Sequence, residues 1–116
     1  MFREALLEFW DGRCALTGIA LPPELLRASH CKPWSDANDA ERLDPFNGFL
    51  LAVRYDALFD KGTIAFDDAG RLLTSPTLTE EVRHFVGLDD SMHLRFILPG
   101  HLAYLRYHRE KVAKMM

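Results

Sequence analysis

Residues 49–53, Phe49-Leu50-Leu51-Ala52-Val53, form an unbroken apolar run set between a turn and a short helical pattern. Five apolar residues are too few for a buried helix with its own caps, so the run reads as a strand. Before it, Asp44-Pro45-Phe46-Asn47-Gly48 has the composition of a turn. After it, residues 55–61 read as a short helix that Gly62 terminates. The surrounding stretch, residues 28–62, places a histidine, an asparagine and two carboxylates around one strand and one helix. The rest of the chain is expected to hold that stretch in place.

A length of 116 residues predicts one domain, with residues 28–62 as its centre. A hydrophobic fraction of 48% is enough for a folded core and argues against disorder. No apolar run approaches a membrane span and no signal peptide opens the chain, so the expected setting is cytoplasmic, without a membrane partner. Two cysteines, Cys14 and Cys31, supply neither a disulfide framework nor a complete zinc set. The net charge of −3 counts against a protein that simply coats nucleic acid. It leaves room for an enzyme that gathers acids at one site and cations around it.

Around the centre, Phe2, Leu6 and Phe9 lie at helical spacing and Asp11-Gly12 stops the pattern. Cys14, in Gly-Arg-Cys-Ala-Leu-Thr-Gly, is read as a small buried residue. Residues 28–34 are expected to be extended, and residues 35–44, polar and acidic, the least ordered part of the chain. Residues 63–66 and 71–74 flank Asp67-Asp68-Ala69-Gly70 as a hairpin. Thr77 and Glu80 resemble a capping box for a helix over 78–86. Residues 92–97 are expected as a strand. Pro99 opens a last helix reaching about Lys114, with Leu98, Leu102, Leu105 and Val112 on one stripe. His84, His93 and His101 are read as surface residues.

The chemistry follows from spacing. If residues 55–61 are helical, Asp56 and Asp60 share one face, one turn apart. Two such carboxylates repel unless a cation sits between them, and hard divalent ions take oxygen ligands of this kind. A histidine near the ion, but not bound to it, is suited to take a proton from water, which gives His30 the role of general base. The ion would polarise a phosphoryl oxygen and stabilise the leaving oxygen. The Asn47 amide both donates and accepts, and so can fix the loop that carries His30. Together these parts fit hydrolysis of a phosphodiester. Taken singly, each has a plainer reading: His30 as an ordinary hydrogen-bonded histidine, Asn47 as a turn residue, Asp60 as helix-end chemistry.

The order of the sequence blocks adds to this. GRCALTG, ASHCKPW, RLDPFNGFLL and DALFDKG follow one another, and LRYHREKV lies near the end. In this order they resemble the HNH endonuclease family, in the branch with blocks like GRCAVTG, SHIKPW, RLDPxNGLLL and LFDxG. The resemblance covers roughly residues 2–75. It implies an α+β fold: a small ββα-metal (His-Me finger) domain with an N-terminal helix, an added β-hairpin and a C-terminal helix. It implies that His30 is the general base and Asn47 the central asparagine steadying its loop. Asp56 stands where the family's last motif histidine, a metal ligand, is commonly found. Asp60 matches a further ligand position, and Ser29 stands where many relatives place an acidic or histidine ligand. With oxygen ligands in those places, one Mg²⁺ or Mn²⁺ ion is favoured over Zn²⁺ or Ni²⁺.

The expected function is therefore a metal-dependent endonuclease acting on nucleic acid, with DNA favoured. Lys32, Arg54 and Lys61, close to the site in sequence, are candidate phosphate contacts. A larger restriction or defence assembly, or a homodimer, is the assembly such a domain would join. The competing reading is a catalytically degenerate HNH-like module that binds nucleic acid or a protein without cutting. Tyr104, His108 and Lys111 share a helix face that could touch a nucleic-acid backbone, although a solvated basic helix end accounts for them equally well.

Overall fold

The fold was taken from a computed structural model, which describes residues 1–115. Helix α1 (Phe2–Phe9) leads through irregular backbone to β1 (Leu26–His30), α2 (Asp39–Leu43), β2 (Gly48–Ala52) and α3 (Val53–Asp60). There follow β3 (Ile64–Phe66), β4 (Leu72–Thr74), α4 (Glu80–Phe85) and α5 (Leu102–Lys111). The strands form two small antiparallel sheets, β1 with β2 and β3 with β4. This is the mixed architecture expected, with helices at both ends. Among the described residues, no helix is long and apolar enough to cross a membrane.

The apolar run is a strand, one residue earlier than its sequence limits, and four of its five residues are fully buried or nearly so. Its register sets Ser29 opposite Phe49 and His30 opposite Gly48. No loop separates β2 from α3, so the helix folds straight back over the two strands. On the other side Phe2, Leu6 and Trp10 of the N-terminal segment join Phe49, Leu50, Leu51 and Phe59 in the core. Cys14 is buried there as expected.

Gly62 ends α3 with a left-handed φ of 73°. The Thr63 amide donates to the Leu58 carbonyl and the Gly62 amide to that of Phe59, the paired bonds that close a helix through glycine. The C-terminal segment lies so close that a Cβ on Gly62 would stand 2.1 Å from the Val112 carbonyl oxygen.

Several expectations are corrected. Residues 39–43, inside the stretch expected to be least ordered, form α2. Asn38 Oδ1 accepts from the Glu41 amide at 2.8 Å and Glu41 Oε1 from the Asn38 amide at 2.9 Å, a reciprocal cap. Residues 92–97 form no strand beyond a single bridge of His93 to Arg71. Successive amides pair with different segments, Leu94 with the Gly70 carbonyl and Arg95 with that of Ala15, so no ladder can grow. The α4 cap is Thr79, whose hydroxyl accepts from the Val82 amide, and not Thr77. A 3₁₀ turn, Pro99–His101, precedes α5, and Leu98 is exposed rather than part of an inner stripe.

His101 is fully buried, not a surface residue. Its ring stacks on Phe49 with Phe9 and Phe46 at its edges, and Nδ1 accepts from the Leu98 amide at 3.0 Å. The proposed nucleic-acid face of α5 is likewise packed inward. His108 is 1% exposed and stacks on Phe59, while the Tyr104 hydroxyl donates to Asp44. Only Lys111 of that trio is exposed.

Candidate active site

The end of β1 and the length of α3 face one another across a cleft of about 190 Å³. Ala28, Ser29, His30, Pro33, Trp34, Asp56 and Asp60 line it. Four residues picked from sequence, Ser29, His30, Asp56 and Asp60, are thus brought together. Asp56 lies in the first turn of α3, where the helix dipole favours a carboxylate, and Asp60 is its last residue. Ser29 Oγ donates to Asp56 Oδ1 at 2.6 Å and ties strand to helix across the floor of the cleft.

His30 is held on two sides. Its ring stacks on Phe2 with centroids 3.8 Å apart and planes 10° from parallel. Gly48 makes that possible, because a Cβ there would lie 2.8 Å from the Phe2 ring. Nε2 lies 2.9 Å from the Arg42 carbonyl oxygen. A carbonyl can only accept, so Nε2 carries a proton, and in the neutral ring the lone pair lies on Nδ1.

Asn47 sits behind the cleft, fully buried. Its Oδ1 accepts from the Lys32 amide at 2.8 Å, and its Nδ2 donates to the Glu41 carbonyl at 3.0 Å. Its own carbonyl accepts from Cys31. One side chain therefore pins the backbone just after His30 to α2, and α2 supplies the carbonyl that holds the imidazole. Arg42 and α2 were not singled out from sequence. The signal was present in Asn38-x-x-Glu41, a capping pattern within an acidic stretch.

The three candidate phosphate-binding cations line no part of the cleft. Lys32 pairs with Glu41 at 3.0 Å and lies over the Tyr107 ring. The Asn38 amide, followed by the Lys32 ammonium, holds the Glu41 carboxyl below its ordinary range. Arg54 is exposed and donates to the Val86 carbonyl beside a separate groove. Lys61 is exposed at the C-cap of α3. A larger, open depression of about 580 Å³ next to α4 holds none of the predicted residues, and its Arg83 is paired with Asp90.

Among the described residues, no three of His, Cys, Asp and Glu are grouped to hold a metal ion. The oxygen donors present in the cleft are the Asp56 and Asp60 carboxylates and the Ser29 hydroxyl. That set fits Mg²⁺ or Mn²⁺, which bind through one or two carboxylates and complete their shell with water and substrate phosphate. It does not fit a closed zinc site of nitrogen and sulfur ligands.

Residues 14–67, which contain β1, β2, α3 and the whole cleft, match the family model of the HNH endonuclease. That segment is thus similar to the HNH endonuclease family. Among solved structures, the chain is similar to one described as a modification dependent TagI restriction endonuclease, with a TM-score of 0.63 and 19% identity. The alignment covers 94% of this chain and 36% of that one, so the chain spans about a third of that protein's length. No curated protein matches it. The family match supports a nucleic-acid endonuclease function in general terms.

Proposed function

We propose that this chain is a metal-dependent endonuclease domain that hydrolyses phosphodiester bonds, with DNA as its substrate. The observation that carries the reading is the meeting of His30 with Asp56 and Asp60 in one cleft, the imidazole already anchored through Nε2. The free lone pair of Nδ1 then takes a proton from the attacking water. Asp56 and Asp60 would hold one divalent ion, Mg²⁺ or Mn²⁺ ahead of Zn²⁺ or Ni²⁺. When bound, that ion supplies charge stabilisation at the phosphoryl and leaving oxygens. Ser29, by donating to Asp56 Oδ1, orients that carboxylate and leaves its other oxygen to the ion. Asn47 keeps the loop after His30 in register. Lys61, Arg54 and Lys32 are the proposed backbone contacts, the last on release from Glu41.

We take residues 1–116 as one domain, with a finger core at about 28–62, working in the cytoplasm. The limited span against the restriction endonuclease supports a cleavage module that acts within a larger restriction or defence assembly, or as a homodimer. Nicking of supercoiled plasmid by the chain in Mg²⁺ or Mn²⁺, and its loss in chelator, is the direct test. Cleavage undiminished in His30→Ala would sink the assignment.

The absence of a third acidic, histidine or cysteine ligand among the described residues favours a second reading, a degenerate finger that binds without cutting. It predicts salt-dependent DNA binding with no divalent-dependent turnover.

A further inference from the structure

Trp34 has no part in the chemistry above, yet it lines the same cleft as His30, Asp56 and Asp60. It is 59% exposed, an unusual state for an indole, and it sits on a short 3₁₀ turn just beyond β1. One face is occupied: the Arg42 guanidinium lies 4.3 Å from the ring centroid, and Arg42 Nε donates to the Trp34 carbonyl at 3.0 Å. The His30 ring stands at a steep angle, 6.3 Å away. Arg42 therefore serves both residues. Its side chain backs the indole, and its carbonyl anchors the imidazole.

We propose that Trp34, backed by Arg42, is a stacking platform for an unpaired nucleobase next to the scissile phosphate. The inference rests on the nuclease reading and narrows its substrate to nucleic acid with an unstacked nucleotide at the cut. In an intact duplex each base is covered above and below, and an aromatic side chain gains a base face only when a nucleotide leaves the stack. A ring with one face braced by a cation and the rest open to solvent beside the base is suited to that role. Stacking there would also brace Arg42, and with it the carbonyl that orients His30.

The test uses the full chain in chelator, so that binding is read without cutting. Three probes of one sequence are compared: single strand, perfect duplex, and duplex with a one-nucleotide bulge. The chain's two tryptophans differ, since Trp10 is fully buried. Emission quenched by the bulged and single-stranded probes should come from Trp34 and vanish in Trp34→Phe. Trp34→Ala should weaken binding of those two probes about 10-fold, Trp34→Phe should keep most of it, and neither should change affinity for the perfect duplex. Unchanged affinity in Trp34→Ala, or an equal loss on all three probes, overturns the proposal. Plasmid nicking separates this from the parent reading: a nicking wild type with an indifferent Trp34→Ala removes the platform alone. A chain that never nicks, yet shows the probe pattern, keeps the platform and loses the nuclease.

Discussion

Two histidines of this chain are held in nearly the same way and end in opposite situations. His30 stacks on Phe2 and His108 on Phe59, both with centroids 3.8 Å apart and planes within 10° of parallel. Each directs Nε2 at a main-chain carbonyl, of Arg42 at 2.9 Å and of Phe59 at 2.8 Å. The difference lies at the other nitrogen. His30 is half-buried on a cleft wall, whereas His108 Nδ1 is buried without a partner. Ring stacking and a carbonyl anchor therefore make a fixed imidazole; only access to solvent and carboxylates makes one that can act on a substrate.

Exchanging the two residues' fates is the strongest way to break that comparison. His30→Ala is expected to lower plasmid nicking by about 10²–10⁴-fold, with thermal unfolding little changed. His108→Ala should do the reverse. It leaves a cavity against Phe59 and should cost about 2–5 kcal/mol in urea unfolding, while the remaining folded protein nicks at the wild-type rate. If His108→Ala abolished nicking in fully folded protein, the division between them would be wrong.

Metal binding sharpens the same division. Mg²⁺ or Mn²⁺ should raise the melting temperature of the wild type and not of Asp60→Ala, since an ion bound only by the folded state stabilises it. His108 substitutions, which remove no residue of the cleft lining, should keep that ion-induced rise. A rise that survives in Asp60→Ala would place the ion elsewhere.

Acid should expose the two buried histidines, His108 and His101. Burial pushes the titration of His108 and of His101 below the ordinary imidazole range, in His108 outweighing the Phe59 carbonyl bond and the Asp60 charge that pull upward. The unfolded chain then binds protons that the folded chain refuses. Stability is full above the unfolded value of about 6.5 and falls as pH drops below it, by at most about 1.4 kcal/mol per pH unit for each histidine. Urea unfolding between pH 7.5 and 5, values chosen to lie roughly one unit and more on either side of that midpoint, should show this slope. Replacing His108 by Phe should remove about half of it. An unchanged slope in that variant would mean His108 does not titrate with unfolding.

The ββα centre was legible because its signals are local. An apolar run of strand length, a glycine stop at Gly62 and two aspartates one turn apart each speak for themselves. The buried histidines were not legible, because polarity alone puts histidine outside. His101 and His108 are instead accommodated by Phe49 and Phe59, partners 52 and 49 positions away in sequence. Strand pairing at residues 92–97 failed for a related reason: which carbonyl each amide meets is a tertiary fact. In the cleft, residue identity was readable for His30, Asp56 and Asp60. The support of His30 by the Arg42 carbonyl was not, since main-chain acceptors leave no mark in residue type.

The smallest expected effect tests that hidden support. Asn38→Ala removes the side-chain half of the α2 cap and should cost only about 1 kcal/mol of stability. Asn38 itself is exposed and lies outside the cleft lining. If α2 serves merely as a surface turn, nicking by the folded variant will match wild type. If the Arg42 carbonyl fixes the His30 tautomer, loosening α2 should lower the turnover rate several-fold without changing substrate affinity, because the imidazole is then productive for a smaller share of the time. Asn38→Asp, which keeps the capping oxygen, should restore it. Steady-state nicking of the three proteins distinguishes the cases, and it does so at a residue that touches neither substrate nor base.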